Sequence, residues 1–296
     1  MKYHKLSLLI LLPLLLSGCA RKIHYEPKPL DPKVIYDNVY LIMGQSNASG
    51  VASYSFLKDK EPEIYQRYSE GNSKVLISYD TYNLVETNFV PTKFGFGDTS
   101  DYFGPEIGIA EALSKKEEVS YIIKASKGGV ALRKEYVTHH GVVKKTYKRF
   151  ISFITNQLKV LETQGKNPRV RGVFWMQGES DSLLRNSGLY RKAEQYFFEY
   201  LRMDLNPWIY DHFNFVDSYI STTTNAWINP EIINSCKQDL VNSNDHCYCI
   251  HTNGEDEEAI TLKLKSQSGE DSSDNAHYDS SSMLLLGKTA APLLDK

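Results

Sequence analysis

"YLIMGQSNASG", residues 40–50, runs an apolar segment straight into a glycine, two amides and a serine. The apolar residues are continuous from Val39 to Met43, the pattern of a strand buried on both faces. A plain turn needs no such ending. The stretch reads in two ways: as a tight strand-to-helix turn using Asn and Gly chemistry, or as a serine held at a sheet edge for attack on a carbonyl. The nucleophile-elbow pattern G-x-S-x-G is not met, because Ala48 stands where its second glycine would be. Partners elsewhere in the chain must decide.

Four more apolar runs follow: "VSYIIKA" (119–125), "VRGVFWM" (170–176), "FNFVDSYI" (213–220) and "CYCI" (247–250). Between and after them lie "GPEIGIAEALSKKE", "YKRFISFITNQLKVLETQ", "YRKAEQYFFEYLRMDL" and "SSMLLLGKTAAPLL", with apolar residues three and four apart. Strand–helix alternation of this kind predicts an α/β domain, a three-layer α/β/α sandwich around a central parallel five-stranded sheet. Ligands and catalytic groups then gather at the carboxyl ends of the strands. Residues 51–103 and 252–274 break the alternation. The first contains "KVLISYDTYNLVETNFV", patterned like a small hairpin, and many tyrosines. Both segments follow a strand end and are expected to overhang the site. Their aromatics read equally as platforms for sugar rings and as surface fillers.

A serine nucleophile needs a base for its proton and donors for the oxyanion it creates. "SKGGV" (126–130) offers Gly128 and Gly129, with no side chain to keep a backbone N–H from a substrate oxygen. "WMQGESD" (175–181) offers the Gln177 amide. "DNAHYD" (274–279) places Asp274 and His277 on one turn, where the carboxylate can orient the imidazole. Taken singly, GQSN, GG and DxxH are each more simply turn or capping chemistry. What raises the odds is that all follow successive strands of one sheet.

With these elements the chain resembles the SGNH hydrolases, and within them the carbohydrate-esterase branch of sialate O-acetylesterases and acetylxylan esterases. The matching elements are GQSN at 44–47, GG at 128–129, QGESD at 177–181 and DxxH at 274–277. The resemblance implies an SGNH (flavodoxin-like) fold and removal of acetyl groups from sugar hydroxyls without a cofactor or metal. By position it makes Ser46 the nucleophile, His277 the general base and acid, and Asp274 its orienter. The Ser46 and Gly128 amides with the Gln177 side chain would form the oxyanion hole. Glu179 and Asp181 read as structural acids at a helix start. His139, His140 and His251 have no assigned partner. Rival readings are a lipase-like esterase for longer acyl chains, an enzyme for O-acetylated peptidoglycan or surface polysaccharide, and a lipoprotein that binds glycans without turnover.

The chain's start carries a different message. Lys2 and Lys5 precede "LSLLILLPLLL", an apolar run too short to span a bilayer comfortably. "LSGC", Leu16–Cys19, resembles the lipobox of bacterial lipoproteins, which implies cleavage before Cys19 and its acylation. The expected organisation is a signal peptide over residues 1–18, a lipidated tether over 19–35 and a hydrolase domain over 36–296. The protein is expected in the bacterial envelope, and Ala20 is compatible with the outer membrane. Export makes a disulfide between Cys236 and either Cys247 or Cys249 plausible. "HCYCIH" (246–251) does not have the spacing of a zinc site. A formal net charge of −2 and no long basic block argue against nucleic acid as partner.

Overall fold

The computed structural model describes residues 26–254 and 259–296. The signal segment and Cys19 lie outside the described residues. The part of the tether segment that is described lies against the body. Lys28 donates its N–H to Ile209 O at 3.3 Å and accepts from Asp211 N at 2.7 Å.

Among the described residues, nine strands and nine α-helices follow one another. The strands are β1 (Asp37–Gly44), β2 (Ala52–Ser53), β3 (Asn72–Asp80), β4 (Val85–Thr92), β5 (Tyr102–Phe103), β6 (Ser120–Ser126), β7 (Pro168–Met176), β8 (Asn214–Ser218) and β9 (Cys247–Ile250). The helices are α1 (Ser46–Ser49), α2 (Pro62–Glu70), α3 (Glu106–Leu113), α4 (Lys145–Thr163), α5 (Glu179–Ser182), α6 (Tyr190–Leu205), α7 (Pro230–Ser243), α8 (Lys265–Ser268) and α9 (Ser280–Leu294).

Seven strands form one sheet in the order β4-β3-β6-β1-β7-β8-β9, and β2 pairs with β5 separately. The five predicted strands make its contiguous parallel portion, β6-β1-β7-β8-β9. The sheet is wider than expected because the hairpin is not a separate flap. β3 adds in parallel beside β6, and β4 returns antiparallel as the edge. Three layers result. Along β1, Val39, Leu41 and Met43 enter a core shared with Phe150 and Ile154 of α4 and Phe197 and Leu201 of α6. Tyr40 and Ile42 face the opposite core, shared with Ile107 of α3 and Met283 and Leu286 of α9. The period-two alternation of a strand thus feeds both helix layers.

Most aromatics of residues 51–103 are neither sugar platforms nor surface fillers. Tyr68, Phe94, Phe96 and Phe103 are buried in the second core. Their rings pack against one another, with Tyr54 and Phe94 stacked at 5.2 Å. These side chains share their core with Ile107 and Ile109 of α3, which holds the long segment in place. A buried ion pair fixes its return: Lys124 Nζ lies 2.7 Å from Glu106 Oε2 and donates to Phe96 O at 2.8 Å. Burial pulls the Lys124 ammonium down from its usual range, and Glu106 opposes that pull. Removing one partner of such a pair costs about 3–5 kcal/mol, because the other charge stays buried alone.

The expected disulfide is not formed. Cys236, Cys247 and Cys249 are free thiols. Cys236, on α7, points its Sγ to the Gly188 carbonyl at 3.8 Å. Cys247 and Cys249 are taken up by the packing of β9, where burial raises both thiols above their usual range. Among the described residues no cluster of His, Cys, Asp and Glu is arranged for a metal ion, and no helix is long and apolar enough to cross a membrane.

Candidate active site

β1 ends at Gly44, whose φ of +147° suits glycine, and a Cβ there would lie 2.0 Å from Met176 O. The carbonyl of Gly44 accepts from Tyr136 Oη at 2.6 Å and from Lys127 N at 3.2 Å. Gln45 N donates to Met176 O at 3.0 Å. The chain is therefore clamped between β6 and β7 as it turns, and α1 starts at Ser46. From Leu41 to Gly50, Ser46 alone is not buried. An apolar strand, a glycine-dependent turn and a short helix together hold one hydroxyl at the sheet's carboxyl edge.

Gly128 lies directly opposite. A Cβ on it would sit 3.7 Å from Ser46 Cβ, so the missing side chain is what keeps the space beside the serine open. Gly129 has no neighbour within 4 Å of such a Cβ and belongs to the outer turn. None of the hydrogen bonds among the described residues uses the N–H of Ser46 or of Gly128.

Asp274 and His277 form the expected pair. His277 Nδ1 lies 2.9 Å from Asp274 Oδ2 and 3.0 Å from Oδ1. Asp274 Oδ1 also accepts the backbone N–H groups of Ala276 and His277, at 3.0 and 3.1 Å. Burial would raise this carboxyl, but those donors and the imidazole outweigh it and hold it below its usual range. The carboxylate thus stays charged wherever an imidazole can serve as a base. The turn meets the serine segment at the next residues along each: Tyr278 N donates to Asn47 Oδ1 at 3.3 Å. Asn47 Nδ2 in turn donates to Glu179 Oε1 at 2.9 Å. The hydrogen bond between Tyr278 and Asn47 joins the chain neighbours of His277 and Ser46, and Gly128 lies beside Ser46; none of the hydrogen bonds among the described residues links Ser46 Oγ to His277 itself.

Gln177 is differently employed from the sequence expectation. It is fully buried. Its Nε2 faces Asp181 Oδ2 at 2.9 Å, Val130 O at 3.1 Å and Gln45 Oε1 at 3.2 Å. Three acceptors contend for two hydrogens, so the amide reaches an oxyanion only by releasing one of them. Asp181 ties the turn together, accepting also from Arg133 Nε at 2.9 Å and from the Leu132 N–H. Glu179 and Asp181 are both spent on neighbouring loops. Beneath this turn, Lys237 Nζ meets Asp217 Oδ1 at 2.6 Å, and burial beside Asp217 raises Glu194 well above the usual carboxylate range.

The β3–β4 hairpin tip forms the outer lip. Asn83 Nδ2 donates to Asp98 Oδ1 at 3.0 Å, and that oxygen is 3.8 Å from a Cβ placed on Gly128. Tyr82, with φ of +71°, lies under Lys127 Nζ at 4.5 Å and Arg149 at 4.2 Å. Sequence reasoning missed Gln45, Asn47, Asn83 and Asp98. Only Gln45 and Asn47 carried a signal, as the amides flanking the serine.

A profile described as carbohydrate esterase, sialic acid-specific acetylesterase, matches residues 36–295. The chain belongs to this family. It is therefore an acetylesterase, a hydrolase of carboxylic esters on carbohydrates. Members of the fold resemble it at low identity. A protein from Arabidopsis thaliana superposes with a TM-score of 0.63 at 19% identity, covering 88% of this chain and 98% of its own. NanS gives 0.61 at 14% identity, with 88% and 98% coverage. A carbohydrate acetylesterase from Xanthomonas citri gives 0.50 at 12%, over 72% of this chain and 49% of that one. These likenesses establish the SGNH-like sandwich. No curated protein matches the chain.

In this acetylesterase the family match begins at Tyr36, where the tether was expected to end. His139 and His140 lie on an outer loop with rings 3.9 Å apart. His251 stacks on Tyr219 at 4.3 Å, beyond the end of β9.

Proposed function

We propose that the protein is a serine esterase that removes O-acetyl groups from carbohydrates through an acetyl-serine intermediate. The observation that carries this reading is the Asp274–His277 pair joined to the serine turn through the Tyr278–Asn47 hydrogen bond. Ser46 Oγ attacks the acetyl carbonyl while His277 Nε2 takes its proton. Asp274 holds Nδ1–H and stabilises the imidazolium. The tetrahedral oxyanion is met by the N–H groups of Ser46 and Gly128, and by Gln177 if it gives up one of its present acceptors. The sugar alcohol leaves with the proton from His277, and water repeats the sequence on the acetyl-enzyme. Asn83 and Asp98, beside Gly128, offer an amide and a carboxylate that can bind sugar hydroxyls.

A series of p-nitrophenyl esters tests the acyl side. Activity is expected to be highest on acetate and propionate and to fall at least tenfold by octanoate. A rise with chain length would favour the lipase-like alternative. Acetate release from acetylated sialic acid, xylan and peptidoglycan then ranks the alcohol side.

We further propose that the enzyme works from the envelope, held by lipid on Cys19. The basis is "LSGC" after a short apolar run. Cys19→Ser is expected to move the protein from the detergent phase to the aqueous phase on Triton X-114 partition. Unchanged partition would remove the anchor.

A further inference from the structure

We propose that Lys265 is a positioning residue of this reaction, one whose ammonium ties the Asp274–His277 turn to the serine segment and sets the acid limit of catalysis. The inference rests on the serine-esterase reading above. Lys265 is 3% exposed, and its Nζ stands among three oxygens. It donates to Val51 O at 3.1 Å and lies 3.6 Å from Asp274 Oδ2 and 3.9 Å from Glu270 Oε1. The ring of Tyr102 is 5.0 Å away.

The contacts with the base-bearing turn are doubled by the main chain. Lys265 N donates to His277 O at 2.9 Å, and Ser266 N donates to Asp274 O at 3.0 Å. On the other side, Val51 follows Gly50, whose N–H closes α1 on Ser46 O at 2.8 Å. One buried side chain therefore bridges the segments that carry nucleophile and base. A buried lysine is expensive to keep charged, and here the carboxylates of Asp274 and Glu270 supply the compensating charge. A charge at this point has a use that a methionine would not.

Asp274 Oδ2, the oxygen beside the ammonium, is the one nearest His277 Nδ1. The carboxylate favours the imidazolium, and the ammonium behind it opposes that effect. The other charged groups around the pair are Glu270 and Asp271 on the Lys265 side. Glu179 lies beyond Asn47, and Asp98 lies across the serine. Removing the ammonium would leave Asp274 to act on the imidazole unopposed, so the acid limb of the rate is expected to move to higher pH.

The test is the pH profile of kcat/KM for p-nitrophenyl acetate in the full chain, with thermal melts to verify folding. Lys265→Met is expected to move the acid limb up by about half to one pH unit, from a unit charge roughly 6 Å away in a partly screened site. Lys265→Arg keeps the charge and should leave the limb where wild type has it. Glu270→Gln removes a negative charge from the same cluster and should move the limb the opposite way, so it decides the matter if Lys265→Met does not fold. A folded Lys265→Met enzyme with an unmoved limb overturns the proposal, whether its rate is normal or reduced. So does a Glu270→Gln enzyme with an unmoved limb when Lys265→Met cannot be made. Wild-type protein without acetylesterase activity, or an active Ser46→Ala, would instead sink the serine-esterase reading.

Discussion

Ser46→Ala is expected to lower kcat/KM for p-nitrophenyl acetate by roughly 10⁴–10⁶-fold, with the melting temperature nearly unchanged. The hydroxyl sits on the one residue of 41–50 that is not buried, so its loss opens no core cavity. What is lost is the acetyl-enzyme route. The residual rate would come from substrate binding and the open N–H groups of Ser46 and Gly128, which the substitution leaves in place. Labelling by a fluorophosphonate should vanish in parallel. Activity within a few-fold of wild type would mean that the nucleophile lies elsewhere.

The second large effect concerns the base and its orienter, and the two should separate. His277→Ala removes the only proton acceptor in this scheme and is expected to cost about as much as Ser46→Ala. Asp274→Asn should cost less, roughly 10³–10⁴-fold, because the imidazole remains. The asparagine carbonyl can still accept from Ala276 and His277 N–H, which now bond Asp274 Oδ1. Its amide, however, would face Nδ1 with a donor and impose the wrong tautomer. It would also leave Lys265 with one carboxylate fewer, at the 3.6 Å contact. Equal losses for the two substitutions, measured as kcat/KM at constant pH, would contradict the division of roles.

The pH dependence follows from the same geometry. The Asp274 carboxyl is held below its usual range, so it does not titrate where the rate changes. Its native interactions favour the charged form, and their contribution to stability is present above the unfolded pKa and lost as pH falls through the lower folded value. The Asp274 hydrogen bonds are therefore kept through mild acidification and are lost only as pH falls through that lower value.

Periodicity made the five central strands and the helices α3, α4, α6 and α9 legible, since each was long enough to bury a continuous face; α7, 14 residues between β8 and β9, was not singled out. The hairpin's destination was not legible. "KVLISYDTYNLVETNFV" alternates as any hairpin does, and nothing local says that β3 pairs with β6 and widens the sheet. The tyrosines of residues 51–103 misled for a similar reason: a Tyr in a long polar-flanked segment has the same letter in a core as on a surface. The cysteines followed packing and not redox context: Cys236 and Cys247 enter the same apolar core as free thiols, with Cys236 Sγ directed at the Gly188 carbonyl.

The candidate site was legible as a set of short motifs: a serine after a glycine turn, a glycine pair, and a carboxylate and imidazole three residues apart. These choices are local, made within a few residues of chain by turn geometry and side-chain reach. The export signal proposed for the start of the chain is a local reading too. Tertiary structure alone decided what the amides and the buried charges do. It spent Gln177 on Asp181 and Val130, put Asp98 beside Gly128 and set Lys265 behind Asp274. Those assignments depend on segments far apart in the chain, whose meeting is set by the packing of whole helices and strands and leaves no mark on the letters themselves.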